Sequence, residues 1–538
     1  MNKYSKTALA AAICTALSAG HAGAATFNVT NSNDAGAGSL REALSLANGN
    51  AESDIIDLSS ISGQTITLTT GQLATYDDEI TLQGGGVTID AAGNSRVLFS
   101  SNTNLRLENL TITGGYAVPT LTRGPIGSDL GGGIYSKYGA LSLENTTVTG
   151  NTSAGPGGGI YHLGYSEGLD ISSSTISGNT GNAAGGGIAA YVGTANITIS
   201  DSIVSGNEVE AGGIQLRERL DRTFDGEGWG RQRGGVIGPG ATTAGGLIML
   251  SYYGDVIVER STISGNSADG SGGLFAIAPY GGVTVSQSTL SGNQATEYAG
   301  AGVVAAKYEA LVSNSTISGN TAGNALGGLS VYSGNAGTTM GRGDDPGPIS
   351  GTTRIEFSTI TGNSAPGASG GLYMSNYGIQ SVNGSVISGN SAATDPDLAI
   401  DAGIGSGSVD MTFSLVGIDP STGTLNKDAT STSLTGQNPQ IGPLAFNGGP
   451  TQTHLPAIPG SPLIDAIGSG LGDCGTAVTV DQRGEPRPAG FGCDIGSVER
   501  GQIVEAVPVP IFDRLGLLLM AGLLGIAGLF GVRRSTGG

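Results

Sequence analysis

Ser174-Thr175-Ile176-Ser177-Gly178-Asn179 is one version of a phrase that returns eight times and decides the fold. Its closing residue falls at Asn151, Asn179, Asn207, Asn266, Asn293, Asn320, Asn363 and Asn390, in steps of 28, 28, 59, 27, 27, 43 and 27 residues. Self-similarity at a fixed period of this size is the mark of a solenoid. The two long steps each accommodate one inserted loop, near 217–243 and near 337–352. In the first, the Gly-Gly-aliphatic step is duplicated, at Gly212-Gly213-Ile214 and Gly245-Gly246-Leu247.

Working outward from the phrase, each period holds material for three short strands. A Gly-Gly-aliphatic step opens one at Ile134, Ile160, Ile188, Ile214, Leu274, Leu329 and Leu372. Alternating stretches such as Ala195-Asn196-Ile197-Thr198-Ile199 make the second by period-2 patterning. The phrase itself makes the third and supplies Val148, Ile176, Val204, Ile263, Leu290, Ile317, Ile360 and Ile387 to a core. Gly-Asn then turns the chain, since both residues accept positive φ cheaply. Three strands and three turns in about 27 residues make one coil of a parallel β-helix, with equivalent residues stacked about 4.8 Å apart. The eight Asn residues are expected to form a structural ladder of side-chain amides. Residues 55–416 give 11 or 12 coils, about 55 Å of rod. Before them, Ser39-Leu40-Arg41-Glu42 has the form of a capping box. Leu40, Ala43, Leu44 and Ala47 share one helical face, so 25–54 reads as an N-terminal cap.

Composition agrees with this picture and removes alternatives. Gly supplies 97 of 538 residues with no collagen period, and 38% apolar against 12% charged residues is not the composition of a solvated coil. A net charge of −20 would repel nucleic acid, so no nucleic-acid partner is expected.

Both ends carry address labels. Lys3 and Lys6, the apolar run Thr7–Leu17 and Ala22-Gly23-Ala24 read as a secretory signal peptide over 1–24, cut after Ala24. At the other end, 501–514 is a linker with Val507-Pro508-Val509-Pro510. Residues 515–538 read as a transmembrane helix followed by Arg533-Arg534. This tail resembles the PEP-CTERM and IPTL-CTERM sorting signals, with Val-Pro-Val-Pro in place of their usual motifs. The resemblance implies a membrane partner through the helix and a sortase-like processing enzyme. Within 417–500, the string Asn447-Gly448-Gly449-Pro450, His454-Leu455-Pro456, Ser461-Pro462, Ile464-Asp465, Asp481-Gln482-Arg483-Gly484, Pro486-Arg487-Pro488 and Cys493-Asp494-Ile495-Gly496 resembles the choice-of-anchor Q domain. That domain follows right-handed β-helix repeats and precedes surface anchors. Asn31–Asn48 also resembles the opening of many bacterial β-helix repeat proteins. The fold expected is therefore all-β: a right-handed parallel β-helix with a short N-terminal capping helix and a small C-terminal domain.

Chemistry is sparse. Cys474 and Cys493 are an even pair in an exported chain and are expected to form a disulfide. The regular coils carry Ser, Thr, Asn and Gly where a glycosidase or lyase face needs clustered acids and bases. Asp344-Asp345 and Asp395-Pro396-Asp397 read as solvated turns with too few ligands for Ca2+, so no cofactor and no metal are expected. Arg342-Gly343-Asp344 reads as a chance tripeptide. The charged first insert surrounds the single Trp, and Trp229, Arg231 and Arg233 are candidate ligand contacts for a glycan or surface. The alternative for them is a solvated loop whose Trp covers nearby apolar surface. The chain is expected to be exported to the surface or outer envelope of a Gram-negative bacterium, held in the inner membrane before processing. Its expected role is adhesion, matrix or envelope structure without catalysis, with a polysaccharide lyase or hydrolase as the alternative.

Overall fold

The structure is a computed structural model that describes residues 24–49, 52–76, 79–117, 128–210, 243–334, 351–374, 378–401, 407–429 and 431–501. The insert readings at 337–352 and 217–243, including Trp229, Arg231 and Arg233, fall almost wholly outside these residues, as do the leader before Ala24 and the tail after Gly501. Ile214 and Asp344-Asp345 also lie outside them.

Three parallel sheets of 25, 11 and 7 strands run along the rod, each coil pairing in register with the next. In the widest sheet most coils contribute two short strands, such as Leu169–Ser172 and Thr175–Ser177. Between them Ser173 takes φ +49, and the same bend recurs at Asn145, Asp201, Arg260, Gln287 and Asn314. Pairing places Val148, Ile176, Val204, Ile263, Leu290, Ile317, Ile360 and Ile387 in one file. All eight are fully buried. Burying each such side chain stabilises the rod by about 1.5–3 kcal/mol.

In the 11-stranded sheet, Leu247 stacks between Ile188 and Leu274. It therefore occupies the rung for which Ile214 and Leu247 both qualified by sequence. Asn207 bonds directly to Asn266 across the 59-residue step, and Asn320 to Asn363 across the 43-residue step. Each long step is thus a single coil that carries extra chain.

The turn after each phrase differs from expectation in one respect. Only the Gly takes positive φ, +60 at Gly178, while the following Asn does not. The Asn is instead committed to its side-chain ladder. Seven and eight residues later, at the Gly-Gly pair, the chain must pass close over that ladder. A Cβ on Gly159 would lie 2.7 Å from Gly187 O and 3.0 Å from the Asn179 amide, which explains the Gly-Gly that opens the next strand.

The helix spans Leu40–Ala47 and buries Leu40, Ala43, Leu44 and Ala47 against the first coils. Ser39 Oγ accepts from Glu42 N at 3.3 Å, and Glu42 Oε2 reaches back to Gly38 N at 2.6 Å. Arg41 joins Asp34 to the Gly71 and Gln72 carbonyls. Burial would raise the Asp34 carboxyl, but Arg41 and the donors of Thr69 and Thr70 outweigh it and hold the group well below the usual carboxylate range.

Parallel pairing extends past both ends of the 55–416 span. Thr26–Asn28 pairs with Ile55–Asp57, and Thr424–Lys427 and Leu434–Thr435 add further rungs. The described residues up to Arg500 form one compact unit with the rod.

Candidate functional site

Two buried polar ladders account for the first Ser and the closing Asn of the phrase. From Asn179 onward each Asn Oδ1 accepts from the backbone N–H and the Nδ2 of the preceding Asn, Asn151 Oδ1 accepts from Gly115 N instead, and each Nδ2 also donates to a carbonyl of the coil before. For Asn266 these distances are 3.0 Å from Asn207 N, 3.0 Å from Asn207 Nδ2, 2.9 Å to Asn293 Oδ1 and 3.0 Å to Val204 O. Asn266 is fully buried. The first Ser of the phrase makes the second ladder, which sequence reading did not single out. Ser174 N donates to Ser202 Oγ at 3.0 Å, Ser202 N to Ser261 Oγ at 3.1 Å, and the file continues through Ser288, Ser315, Ser358, Ser385 and Ser414.

The Asn ladder ends on a carboxylate. Asp397 Oδ1 accepts from both Asn390 N and Asn390 Nδ2 at 3.0 Å. Asp397 is 2% exposed, and burial raises its pKa against the pull of these donors. This corrects the solvated-turn reading of Asp395-Pro396-Asp397. Asp395 is also buried and accepts from Ser421 N. A carboxylate, which only accepts, suits the last rung because the Ile418 backbone N–H is a further donor to it.

The C-terminal segment lies back along the flank of the widest sheet. Gln482 is its pivot: Oε1 accepts from Thr316 Oγ1 at 2.6 Å, and Nε2 reaches Thr289 Oγ1 at 3.0 Å and Thr451 Oγ1 at 2.9 Å. Thr289 Oγ1 donates to Gln452 O, Ser497 N donates to Thr359 Oγ1, and Ser318 Oγ meets His454 Nε2 at 2.8 Å. The outward threonines Thr289, Thr316 and Thr359 are consequently buried, whereas Thr147, Thr175 and Thr262, at the same register in other coils, stay half-exposed. Leu463, Ile467 and Ile495 pack with Phe357, Val386 and Leu415 of the rod.

Phe357 and Phe413 occupy the bend position with φ +44 and +47. Left-handed backbone is costly for an aromatic residue. Both rings touch the docked segment: the Arg487 guanidinium lies 4.6 Å over Phe357, and Gly472 packs against Phe413.

Within the segment, Arg487 and Glu499 form a fully buried ion pair at 3.0 Å. Arg487 Nη2 also donates to Gly496 O at 2.6 Å, and Asp494 Oδ1 and Oδ2 accept from Asp465 N and Arg500 N at 2.7 Å. Burial, then the neighbouring Glu499, pushes Asp494 up to about 7. Glu499 is raised and Arg487 lowered, in both cases chiefly by burial. Two adjacent carboxylates with raised pKa are a pattern shared with acid/base catalysts. Here their oxygens are occupied by backbone N–H groups and by Arg487, so the arrangement holds a loop in shape. The disulfide Cys474–Cys493 closes the same region, with Cα atoms 5.7 Å apart and both residues fully buried.

His162 points into the rod interior, fully buried, and burial lowers its pKa to about 4, so it is neutral at physiological pH. Ala24 is exposed just ahead of the first strand. Among the described residues, no group of three or more His, Cys, Asp or Glu side chains is placed to hold a metal ion. At one corner the exposed Tyr253 and Tyr308 lie with the half-buried Tyr252 and Tyr280 and the buried Lys307.

With this geometry in place, the architecture defines a parallel β-helix repeat protein. A family model described as the right-handed β-helix region matches residues 48–226. No curated protein matches the chain.

Proposed function

We propose that this chain is an exported, surface-anchored β-helical repeat protein that serves adhesion, matrix or envelope structure without catalysis. One observation carries the reading. The buried Asn and Ser files of the repeat are spent on holding coil to coil, and Gln482 with Thr289 and Thr316 on holding the C-terminal segment to the rod, so these polar groups are not left over for an active site. The leader ending at Ala24, the choice-of-anchor Q resemblance over 417–500 and the sorting-signal resemblance of the tail support attachment. The tail would place the membrane and a sortase-like enzyme among the partners. Among the described residues no helix is long and apolar enough to cross a membrane; the tail lies outside them. Glycans or surfaces are the remaining partners, and no cofactor enters the proposal.

The test is fractionation of cells making the full chain or a chain lacking 507–538, with turnover assays on neutral and acidic polysaccharides with and without Ca2+. The full chain is expected in the envelope fraction, the shortened one in the medium, and neither should cleave a polymer. Reproducible cleavage would replace this reading with the enzymatic one.

A further inference from the structure

In the 11-stranded sheet the central strands are apolar on both faces. Leu247-Ile248-Met249-Leu250 and Leu274-Phe275-Ala276-Ile277 show no polar alternation, the pattern of a sheet buried from both sides. Leu247, Met249, Leu274 and Ala276 belong to the rod's interior core. The residues between them point outward, and in-register pairing lines up Tyr161, Ala189, Ile248, Phe275 and Val303 in one file. All five belong to a second apolar cluster, separate from that core.

This outer file is buried as deeply as an interior. Ile248 is 2% and Phe275 6% exposed, whereas Ile203, facing outward from the widest sheet between Thr175 and Thr262, is 46% exposed. Both isoleucines have a parallel strand on either side, so strand pairing alone does not account for the difference. Every member of the second cluster lies on a strand of this sheet or in a turn entering it, so neither the cap helix nor the C-terminal segment supplies the cover. The burial also has a centre. Phe99 and Tyr373, toward the two ends of the file, are only half-buried, and the deepest residues, Ala189 and Ile248, flank the 59-residue step. Tyr191, on the same strand as Ala189, is 2% exposed, and its hydroxyl has no hydrogen-bond partner among the described residues. A buried tyrosine hydroxyl ordinarily finds one.

We propose that the outer face of the 11-stranded sheet from Tyr161 to Val303 is the docking surface for residues 211–242 of this same chain, which lie outside the described residues. That stretch leaves the rod after Glu210 and rejoins it at Thr243-Ala244, and Ala244 is itself a fully buried member of the second cluster. Fully extended it would reach about 100 Å, ample to cross five coils about 4.8 Å apart and return. It carries Ile214, Leu216, Leu220, Phe224 and Trp229, whereas 118–127 and 335–350 carry no aromatic residue. Trp229 then packs against the rod, as its alternative reading had it, and the five arginines of the stretch stay in solvent.

Trp229 is the only tryptophan, so its fluorescence reports directly on the stretch. In the purified full chain its emission should be blue-shifted from that of the urea-unfolded chain and severalfold less quenched by acrylamide. Ile248→Ser combined with Phe275→Ser should remove both effects while far-UV dichroism stays β-rich, and Ile203→Ser should change neither. Replacing 211–242 by one Gly, which restores the 28-residue step of the preceding coils, should raise binding of an apolar dye severalfold. Acrylamide access to Trp229 equal to that of the unfolded chain, an unmoved emission in the double variant, or no added dye binding after the replacement would each overturn the docking. Shielding that vanishes on dilution, as a dimer becomes monomer, would assign the face to a second copy and overturn it as well. None of these outcomes bears on the noncatalytic reading, which is judged by turnover and location.

Discussion

Asn266→Asp is expected to destabilise the rod by about 3–5 kcal/mol at pH 7.5, the cost of burying a charge and stranding polar partners. The substitution is nearly isosteric and keeps the acceptor for Asn207. It turns the donor that serves Val204 O and Asn293 Oδ1 into a second oxygen facing two oxygens. The burial that disfavours the charge also raises the new carboxyl's folded-state pKa above its unfolded value. Stability should therefore be lowest at high pH and recover in part as pH falls through the folded pKa, where a protonated carboxyl can donate to one of the two acceptors. Ser264→Asp, two residues earlier on the half-exposed outward face, should cost less than about 1 kcal/mol. Thermal melts of the two variants at pH 5 and 8 decide the matter. Equal melts would mean that the Asn file carries no structural load.

The second large effect concerns the buried pair of the C-terminal segment. Arg487→Met removes the counter-ion of Glu499 and leaves a fully buried carboxylate beside Asp494. Breaking a buried pair from one side costs about 3–5 kcal/mol. That loss should fall on the segment and not on the coils. The expected melt has an early transition, in which 440–500 becomes protease-sensitive, and a later one for the rod. Arg260→Met, which breaks exposed contacts to Asp201 and Glu259, should cost under about 1 kcal/mol. A single unshifted transition for Arg487→Met would show that the pair does not hold the segment.

Much of the rod was legible because a coil repeats its physics. One buried aliphatic, one Gly turn and one Asn per period recur in sequence at the spacing at which they stack in space, so Ile176 and Ile263 announce the same role. The Ser file was equally present in the phrase, but a Ser beside a Thr on a strand looks like ordinary surface until backbone N–H groups are placed against it. The end of the Asn ladder was misread because Asp397, alone in its tripeptide, resembles any turn aspartate. Only the coil above shows that its oxygens face donors.

Docking of the C-terminal segment was hidden for a different reason. Thr289 and Thr316 are indistinguishable in sequence from Thr175 and Thr262, although the first two are buried and the latter half-exposed. The signal that did exist was aromatic. Phe357 and Phe413 stand where other coils place Asn145, Ser173 or Asp201, and a large apolar side chain at a left-handed bend on an outer edge calls for something to cover it.

The central claim is that the polar string around Asp481-Gln482-Arg483 clamps the segment to the rod. A double-mutant cycle between Thr316→Val and Gln482→Met tests it most directly, because the two positions are 166 residues apart in sequence and meet only through the Thr316 Oγ1–Gln482 Oε1 bond at 2.6 Å. The account predicts a coupling free energy of about 1–2 kcal/mol. It also predicts additivity within about 0.5 kcal/mol when Thr262→Val replaces Thr316→Val. Additivity in both cycles would contradict it.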